Sequence, residues 1–381
     1  MTRMLRGINW GHRRAVGPLS AATPTFRAEH PDIDISWSQR SLAGFEFEPV
    51  PRLAESFDLI ILDHPFCGDI AATSCLIPLD GLPSLEDRLF LGPSLASYRY
   101  EGRIWALPID AACQVAASRP DLLAALGAAA PSTWEETLSL GRAARRRGLS
   151  LAIACKGVHS LMTFFTLCAN LGRPCRTDPT EPLVDRETAT DALDAMEALL
   201  ELCPAEALDW DSIALHEMMT ADGRLVFCPA VYLYATYAES DYPNPLRFHD
   251  LPGLRGPDPS GSTLGGTGLG ISAKCRDPDA ALAYTAYLLR PEIQTGFASH
   301  HGQPARIEAW TGSAADARFA GAFSATRTTM EASWIRPRYP GYPRFQAEAS
   351  ELMEGYLRGA TPRRDLLDRL DDLHARRGGD G

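Results

Sequence analysis

The side chains best suited to chemistry lie directly after short apolar segments of the chain. Asp63 and His64 follow one such segment, and His12 and Arg13 follow another. A carboxylate beside an imidazole can support acid–base chemistry, because histidine titrates near neutral pH. A guanidinium group favours a carboxylate or phosphate on a ligand, because it forms bidentate, charge-assisted hydrogen bonds. Two structural alternatives stay open: a solvated basic turn at His12–Arg13 and a helix cap at Asp63.

Alternating strands and helices must position these loops. Residues 5–10, 33–37 and 57–62 have strand patterns, and residues 17–30 have a helical pattern that ends before a proline. Strand–helix–strand order implies parallel pairing, and ligands of such sheets bind beyond the carboxyl ends of the strands. We therefore expect three loops to reach the same edge of the sheet: residues 9–14, 38–42 and 63–69.

The rest of the chain continues the alternation. Apolar periodicity and capping residues predict helices at 120–130, 134–147, 161–171, 186–203, 278–289, 291–300 and 362–377. Short apolar runs predict strands at 151–154, 225–227 and 264–272. The glycine-rich run 265–270 lacks the spacing of a dinucleotide-binding motif and is predicted to be a strand that approaches neighbouring backbone closely.

Size and charge limit the partners. A chain of 381 residues predicts two domains. A net charge of −11 repels phosphate backbones and anionic lipid, which argues against nucleic acid as a partner. No apolar run approaches the roughly 20 residues that span a bilayer, so membrane insertion is not expected. We expect a monomer with no cofactor. We also expect no metal, because the scattered histidines form no ligand motif.

The cysteines and the first residues bear on location. Nine cysteines occur without a C-x-x-C pair, which suits a reducing compartment. Residues 10–14 interrupt the apolar core that a signal peptide would need. The sequence as written therefore predicts a cytoplasmic protein, whereas a true start further upstream would place it in the periplasm or outside the cell.

Five segments in order resemble one family. The chain is similar to the family-1 extracellular solute-binding proteins, the maltose-binding-protein-like receptors of ABC importers. The most recognisable segment is YEGRIWALPID at 100–110, which resembles the Gly-x-x-Tyr/Trp-Ala-Leu-Pro element of that family. The other four are FDLIILDHPFCGDIAATSCLIPLDGL (57–82), PDLLAALGAAAPSTWEETL (120–138), ADGRLVFCPAVYLYATYA (221–238) and the run 265–306, which ends in GQPAR.

The resemblance implies an α/β, two-lobe periplasmic-binding-protein-like fold of type II. Each lobe would hold a mainly parallel sheet flanked by helices, and crossovers would join the lobes. The N-lobe would comprise residues 1–110 plus 265–310, and the C-lobe residues 111–264 plus 311–381. A ligand cleft would lie between them and close by a hinge motion.

The resemblance also implies which residues contact ligand. The alternative at each position is packing or solvation, as for the alternating Tyr232 and Tyr234, which could equally pack in a core. The expected contacts are Asn9, Trp10, His12, Arg13, Arg40, Asp63, His64, Phe66, Asp110, His159, Tyr232, Tyr234, Gly266, Trp334 and Arg336.

Three functions remain open. The first is reversible binding of a small polar molecule of the sugar, polyol or organic acid class, with an ABC permease as partner if an exported form exists. The second is a cytosolic enzyme on the same fold that hydrates, dehydrates or isomerises a small metabolite. His12, Asp63, His64 and Asp110 would then supply the acid and base. A cytosolic metabolite sensor is a third, weaker alternative.

Overall fold

The computed structural model describes residues 2–221 and 223–376. The chain divides into two compact units. Unit 1 comprises Met1–Ala112, Gly265–Arg318 and Ile335–Pro343, and unit 2 comprises Cys113–Leu264, Phe319–Trp334 and Arg344–Gly381.

Three segments that the sequence assigns to the C-lobe lie in unit 1, namely residues 111–112, 311–318 and 335–343. The last of them packs there because Arg336, Arg338 and Gly341 all hydrogen-bond to groups of unit 1.

The described residues contain twelve strands. They are β1 (Arg3–Trp10), β2 (Ile33–Arg40), β3 (Leu59–Leu62), β4 (Leu76–Ile77), β5 (Arg99–Tyr100), β6 (Arg103–Ile104), β7 (Leu107–Asp110), β8 (Gln114–Ser118), β9 (Ser150–Leu151), β10 (Leu225–Tyr232), β11 (Arg247–His249) and β12 (Thr267–Ser272).

Seventeen α-helices occupy much of the remaining described chain. They are α1 (Arg13–Glu29), α2 (Leu42–Phe47), α3 (Val50–Ala54), α4 (Cys67–Thr73), α5 (Ser94–Ser97), α6 (Pro120–Leu126), α7 (Trp134–Arg145), α8 (His159–Asn170), α9 (Arg186–Leu200), α10 (Ser212–Ala221), α11 (Pro278–Leu289), α12 (Pro291–Phe297), α13 (Ile307–Thr311), α14 (Ser313–Arg318), α15 (Ala322–Glu331), α16 (Tyr342–Leu357) and α17 (Arg363–Arg376). None of the helices in the described ranges combines the length and the apolar character that a membrane span needs.

Unit 1 is built on a six-stranded sheet with the order β2-β1-β3-β12-β4, and β7 also pairs with β12. Strands β1, β2 and β3 are parallel, whereas β12 runs antiparallel to β3, β4 and β7. One reversed strand therefore lies in an otherwise parallel sheet. The carboxyl ends of β1, β2, β3 and β7 and the amino end of β12 consequently reach the same edge.

Unit 2 has a four-stranded sheet with the order β11-β8-β10-β9. Strand β8 is antiparallel to both β10 and β11, and only β9 and β10 pair in parallel. The sheet is thus mixed, and the expectation of mainly parallel pairing is wrong for this unit. Two helices, α6 and α7, separate β8 from β9. Strand β9 then joins the sheet at the edge beside β10.

The core of unit 1 holds the strand ends in place. All four residues of β3 have 0% exposure. One face of the sheet packs Ile8, Ile60 and Leu62 against α3 and α4 in a cluster of buried apolar side chains. The nearly continuous apolar run that predicted a strand covered on both faces is therefore buried as expected.

Glycines of β12 allow close packing on that sheet. A Cβ atom at Gly268 would lie 2.8 Å from Ala106 Cβ, and one at Gly270 would lie 2.6 Å from a Leu76 methyl group. The glycine-rich run is a strand, as its sequence predicts.

Candidate functional site

A buried ion pair links the start of α1 to the end of β7. Arg14 Nε donates to Asp110 Oδ2 at 2.8 Å, and Arg14 Nη2 donates to Oδ1 at 2.5 Å. The two side chains are only 4% and 9% exposed. Burial raises the pKa of Asp110, and the guanidinium offsets this shift only in part. The bidentate geometry fixes the carboxylate at the sheet edge.

A second ion pair forms at the end of β3. Asp63 Oδ1 accepts a hydrogen bond from the His64 backbone N–H at 2.8 Å, so the carboxylate caps a short 3-10 turn. Its Oδ2 accepts from Arg336 Nη2. Burial alone would raise the pKa of Asp63, but Arg336 and His64 together lower it to about 2. The carboxylate is therefore ionised at neutral pH.

His64 is buried beside that carboxylate. Its side chain has 0% exposure, and its Nδ1 lies 3.0 Å from Asp63 Oδ1. Neither ring nitrogen makes a well-oriented hydrogen bond to any described residue. Burial, reinforced by the charge of Arg336, lowers the pKa of His64 to about 4 despite the opposing effect of Asp63. The ring is consequently neutral near pH 7, where it is a poor proton donor and a weak base.

The end of β1 is held by local hydrogen bonds. Asn9 Nδ2 donates to the Ala15 carbonyl at 2.8 Å, and Asn9 Oδ1 accepts from the Trp10 backbone N–H at 2.8 Å. The Trp10 indole packs on Phe45 with ring centroids 4.8 Å apart. Its buried Nε1 has no partner among residues 2–221 and 223–376. Buried polar groups without partners are uncommon in native proteins and can mark a functional site.

The other expected residues of unit 1 have varied roles. His12 caps α1, because its Nδ1 accepts from the Arg14 backbone N–H at 3.1 Å, and Arg13 is half-buried at the first position of that helix. Arg40 is half-buried, with a side chain that is 8% exposed, and it donates to the Ile61 carbonyl at 2.8 Å. Phe66 lies in the apolar core cluster.

Gly266 precedes β12 with a φ of 90°, a left-handed value that disfavours other residues. A Cβ atom there would lie 2.4 Å from the Asp110 carbonyl oxygen, so glycine is required for this close approach.

In unit 2, two expected residues meet at the start of α8. His159 is the first residue of the helix and is 3% exposed. Its Nδ1 lies 3.1 Å from Ser212 Oγ, and its ring makes an edge contact with Tyr232 at 6.1 Å. Tyr232, the last residue of β10, is half-buried.

Tyr234 and Trp334 have separate surroundings. Strand β10 ends at Tyr232, so Tyr234 turns into an aromatic cluster with His216 and Tyr237, at centroid distances of 5.7 and 6.3 Å. Trp334 packs its ring 6.2 Å from Phe165. Helix α8 therefore carries two of these contacts: His159 touches Tyr232, and Phe165 touches Trp334.

Sequence reasoning missed two residues of the unit 1 edge. Arg14 is the arginine that pairs with Asp110, although His12 and Arg13 were singled out. A usable signal exists: Arg14, Pro18, Ala22 and Phe26 recur every four residues on the buried face of α1. Thr267 was also missed, since a single threonine in a glycine-rich strand has no distinctive pattern.

Metal binding and thiol chemistry have little support among the described residues. These residues include no group of three or more His, Cys, Asp or Glu side chains that could hold a metal ion. All nine cysteines are free. Burial raises the pKa of Cys67 and of Cys113 to about 12, so both thiols stay protonated near neutral pH and are poor nucleophiles.

Solved structures of bacterial solute-binding proteins share this fold over nearly the whole chain. The maltose-bound MalE3 of T. maritima matches with a TM-score of 0.84 and 19% identity, covering 98% of this chain and 99% of that one. A solute-binding protein of Agrobacterium radiobacter in complex with ribitol matches with a TM-score of 0.80 and 20% identity, covering 98% of both chains. At such identities the likeness shows the fold alone, and it confirms the predicted fold class.

The chain belongs to the bacterial extracellular solute-binding protein family, whose sequence profile matches residues 51–320. A curated relative, a probable amino-acid ABC transporter periplasmic-binding protein of Sinorhizobium fredii, is 27% identical over 259 residues. That match covers 65% of this chain and 57% of the relative, so the chain spans less than two thirds of the relative's length. The predicted family is confirmed, and membership favours solute binding over the enzymatic alternative.

Proposed function

We propose that this chain reversibly binds a small polar solute and that the strand-end edge of unit 1 forms part of the binding site. The observation that carries the proposal is the convergence of Asp63, Asp110, Arg14 and Arg336 at this edge as one buried and one largely buried ion pair. Buried charges cost free energy and are weak evidence for stability. Their presence beside Trp10 Nε1 and Thr267 Oγ1, which lack hydrogen-bond partners among the described residues, supports a binding role.

The pairing of these charges supports a neutral solute. The charge of Arg14 offsets that of Asp110, and the charge of Arg336 offsets that of Asp63. Arg40 Nη1 likewise lies 3.6 Å from Glu48 Oε2. A charged ligand would meet both signs at close range, whereas hydroxyl groups can donate to carboxylates and accept from guanidinium groups. Within the sugar, polyol and organic acid classes, we therefore favour sugars and polyols.

The named relatives give probes for this choice. Structural neighbours have been solved with maltose, with ribitol and with α-D-tagatose. The curated relative is instead named for amino acids. A panel that includes both classes distinguishes a neutral solute from a zwitterionic one.

Catalysis has weaker support at this edge. His64 is neutral and buried, His12 caps a helix, and each of the two carboxylates is bound to an arginine. None of these groups is placed to exchange a proton readily near neutral pH, which supports binding without chemistry.

We further propose that the solute is delivered to an ABC permease and that the protein works outside the cytoplasmic membrane. The family's extracellular description supports this location over the cytoplasmic one. Fractionation of the native host, with an antibody against this chain, tests the proposal. Recovery only in the cytosol would contradict it.

The binding experiment is a thermal-shift screen followed by calorimetric titration. Maltose, ribitol and tagatose are compared with glutamate and citrate. We expect a neutral solute to raise the unfolding temperature, because binding to the native state stabilises it by about 2.7 kcal/mol at 100 times Kd. Glutamate binding tighter than every neutral solute would contradict the preferred class.

Two variants test whether the unit 1 edge is involved. Arg336→Gln should weaken binding, because it removes the partner of Asp63. Lys274→Met is the matched control, since it breaks only the exposed pair with Glu55 at the opposite end of β12. Equal affinities of the two variants would argue against the site. Closure of the two lobes on the solute stays a prediction, which small-angle scattering with and without solute tests.

A further inference from the structure

Thr267 has a buried hydroxyl group that bonds to nothing in the described protein. The residue is 3% exposed, and its Oγ1 has no hydrogen-bond partner among residues 2–221 and 223–376. A second buried hydroxyl of unit 1 does have partners. Ser272 Oγ, on the same strand, donates to the Ala54 carbonyl at 2.8 Å and accepts from the Lys274 N–H at 3.0 Å. Leaving such a group unpaired costs about 1–3 kcal/mol.

The hydroxyl lies beside the Arg14–Asp110 pair. Thr267 stands directly opposite Asp110 in the ladder between β12 and β7. Side chains of directly opposite residues project from the same face of a sheet. Both residues line a small pocket in unit 1 together with Asn9, Arg14 and Gln303. Its free volume is about 10 Å³, close to the lower limit for one water-sized group.

Most polar groups around the pocket already have partners. Both ends of the Asn9 amide are used within the β1–α1 turn, and Gln303 Nε2 donates to the Ala111 carbonyl at 3.1 Å. Asp110 accepts two hydrogen bonds from Arg14, and a carboxylate has about four acceptor positions, so it can accept another. A hydroxyl donor and acceptor therefore faces a carboxylate with spare capacity.

We propose that this pocket is a subsite for one hydroxyl group of the bound solute, with Thr267 as a specificity-determining residue. The solute hydroxyl accepts from Thr267 Oγ1 and donates to Asp110. A charged group is disfavoured there, because Arg14 and Asp110 present both signs and Ile61, Ile109 and Phe297 supply apolar walls. The inference rests on the proposed function and names a recognition element within it.

The test uses Thr267→Val, which replaces the hydroxyl by a methyl group of similar size. Without solute, we expect its unfolding temperature to equal or exceed that of the wild type, because the hydroxyl has no partner among the described residues to lose. Ser272→Ala is the control on the same strand, and it should lower the unfolding temperature while leaving solute affinity unchanged.

Affinity is then measured by calorimetry with ribitol, maltose and tagatose. For the solute that the wild type binds most tightly, Thr267→Val should weaken binding by roughly tenfold, equivalent to about 1.4 kcal/mol. The wild type is then titrated with monodeoxy analogues of that parent solute, each lacking one hydroxyl group. One analogue should bind the wild type as weakly as the parent solute binds Thr267→Val. The variant should bind that analogue and the parent equally.

Each result that contradicts the inference has a different consequence. Wild-type affinity in Thr267→Val would overturn the subsite and leave the proposed function intact. A fall in unfolding temperature as large as that of Ser272→Ala would assign the hydroxyl a structural role and overturn the inference. Failure of the wild type to bind any neutral solute would contradict the proposed ligand class and the subsite with it.

Discussion

Gly68 lies directly against the backbone of the return segment, which we define as residues 335–343. A Cβ atom at Gly68 would stand 2.1 Å from the Arg338 carbonyl oxygen and 2.4 Å from the Tyr339 carbonyl carbon. Neighbouring contacts hold the same segment: Arg338 Nη1 donates to the Ser97 carbonyl, and the Gly341 N–H donates to Asp69 Oδ1 at 2.6 Å. This docking places Arg336 against Asp63.

Replacement of Gly68 by alanine should therefore displace the return segment. The clash involves backbone atoms, which cannot move aside as a flexible side chain can. We expect Gly68→Ala to lower the free energy of unfolding by about 1–3 kcal/mol and to weaken solute binding through loss of the Arg336–Asp63 pair. Hydrogen exchange should show faster exchange within residues 335–343.

Gly296→Ala is the matched control for that variant. A Cβ atom at Gly296, within α12, would have no neighbour within 4 Å. Alanine is favoured over glycine in helices by about 1 kcal/mol at most, so this variant should be neutral or slightly stabilised. Equal stability of the two variants would refute the docking argument.

Breaking the Arg14–Asp110 pair on one side should be strongly destabilising. Arg14→Met leaves a carboxylate that is 9% exposed without its partner, and removal of one member of a buried pair typically costs about 3–5 kcal/mol. The double variant Arg14→Met/Asp110→Leu should be more stable than the sum of the two single changes predicts. Urea unfolding of all four proteins measures this coupling, and additive losses would contradict it.

His64 should make stability depend on pH. Its folded-state pKa of about 4 lies below the usual 6.5, so the unfolded chain binds the proton first as the pH falls. The free energy of unfolding should then decrease as the pH falls from about 6.5 to about 4. Below pH 4 the titration of His64 should cause no further decrease. The variant His64→Phe should flatten that slope in urea titrations, whereas the exposed His300→Gln should not. An unchanged slope in His64→Phe would exclude His64 as the cause.

The cysteines should react slowly in the native protein. Burial raises the pKa of Cys113, Cys155 and Cys228 to about 12 each, so little thiolate forms at pH 8. Iodoacetamide should alkylate all nine thiols in guanidinium chloride but few in the native state, with Cys75 among the more accessible. Peptide mass mapping identifies the sites, and rapid native alkylation of Cys113 would contradict the expectation.

Much of the fold follows from local pattern. The apolar runs of β1, β2 and β3 and the capped helix α7 lie where their sequences predict, because strand and helix periodicities are local properties. The direction of β8 was not predictable in the same way. It is set by the strands that β8 meets in the folded sheet, where it lies antiparallel to β10 and β11 and gives unit 2 a mixed sheet.

In the candidate site, the carboxylates were predictable from the sequence and their arginine partners were not. Loops after parallel strands had to reach a common edge, so Asp63 was predictable as a candidate, whereas Asp110 was a candidate because residues 100–110 resemble the family's segment. Their partners were not predictable, because Arg14 and Arg336 lie 96 and 273 positions away along the chain. Local spacing carries no information about such pairs.

The sequence by itself thus determined the family, the alternation of strands and helices, and the edge at which polar side chains gather. Only the tertiary structure decided which charges cancel, that His64 is neutral and buried, and that the Thr267 hydroxyl lacks a partner among the described residues. The physical reason is that periodicity and capping act between residues close in sequence. Burial and ion pairing depend on groups that only folding brings together.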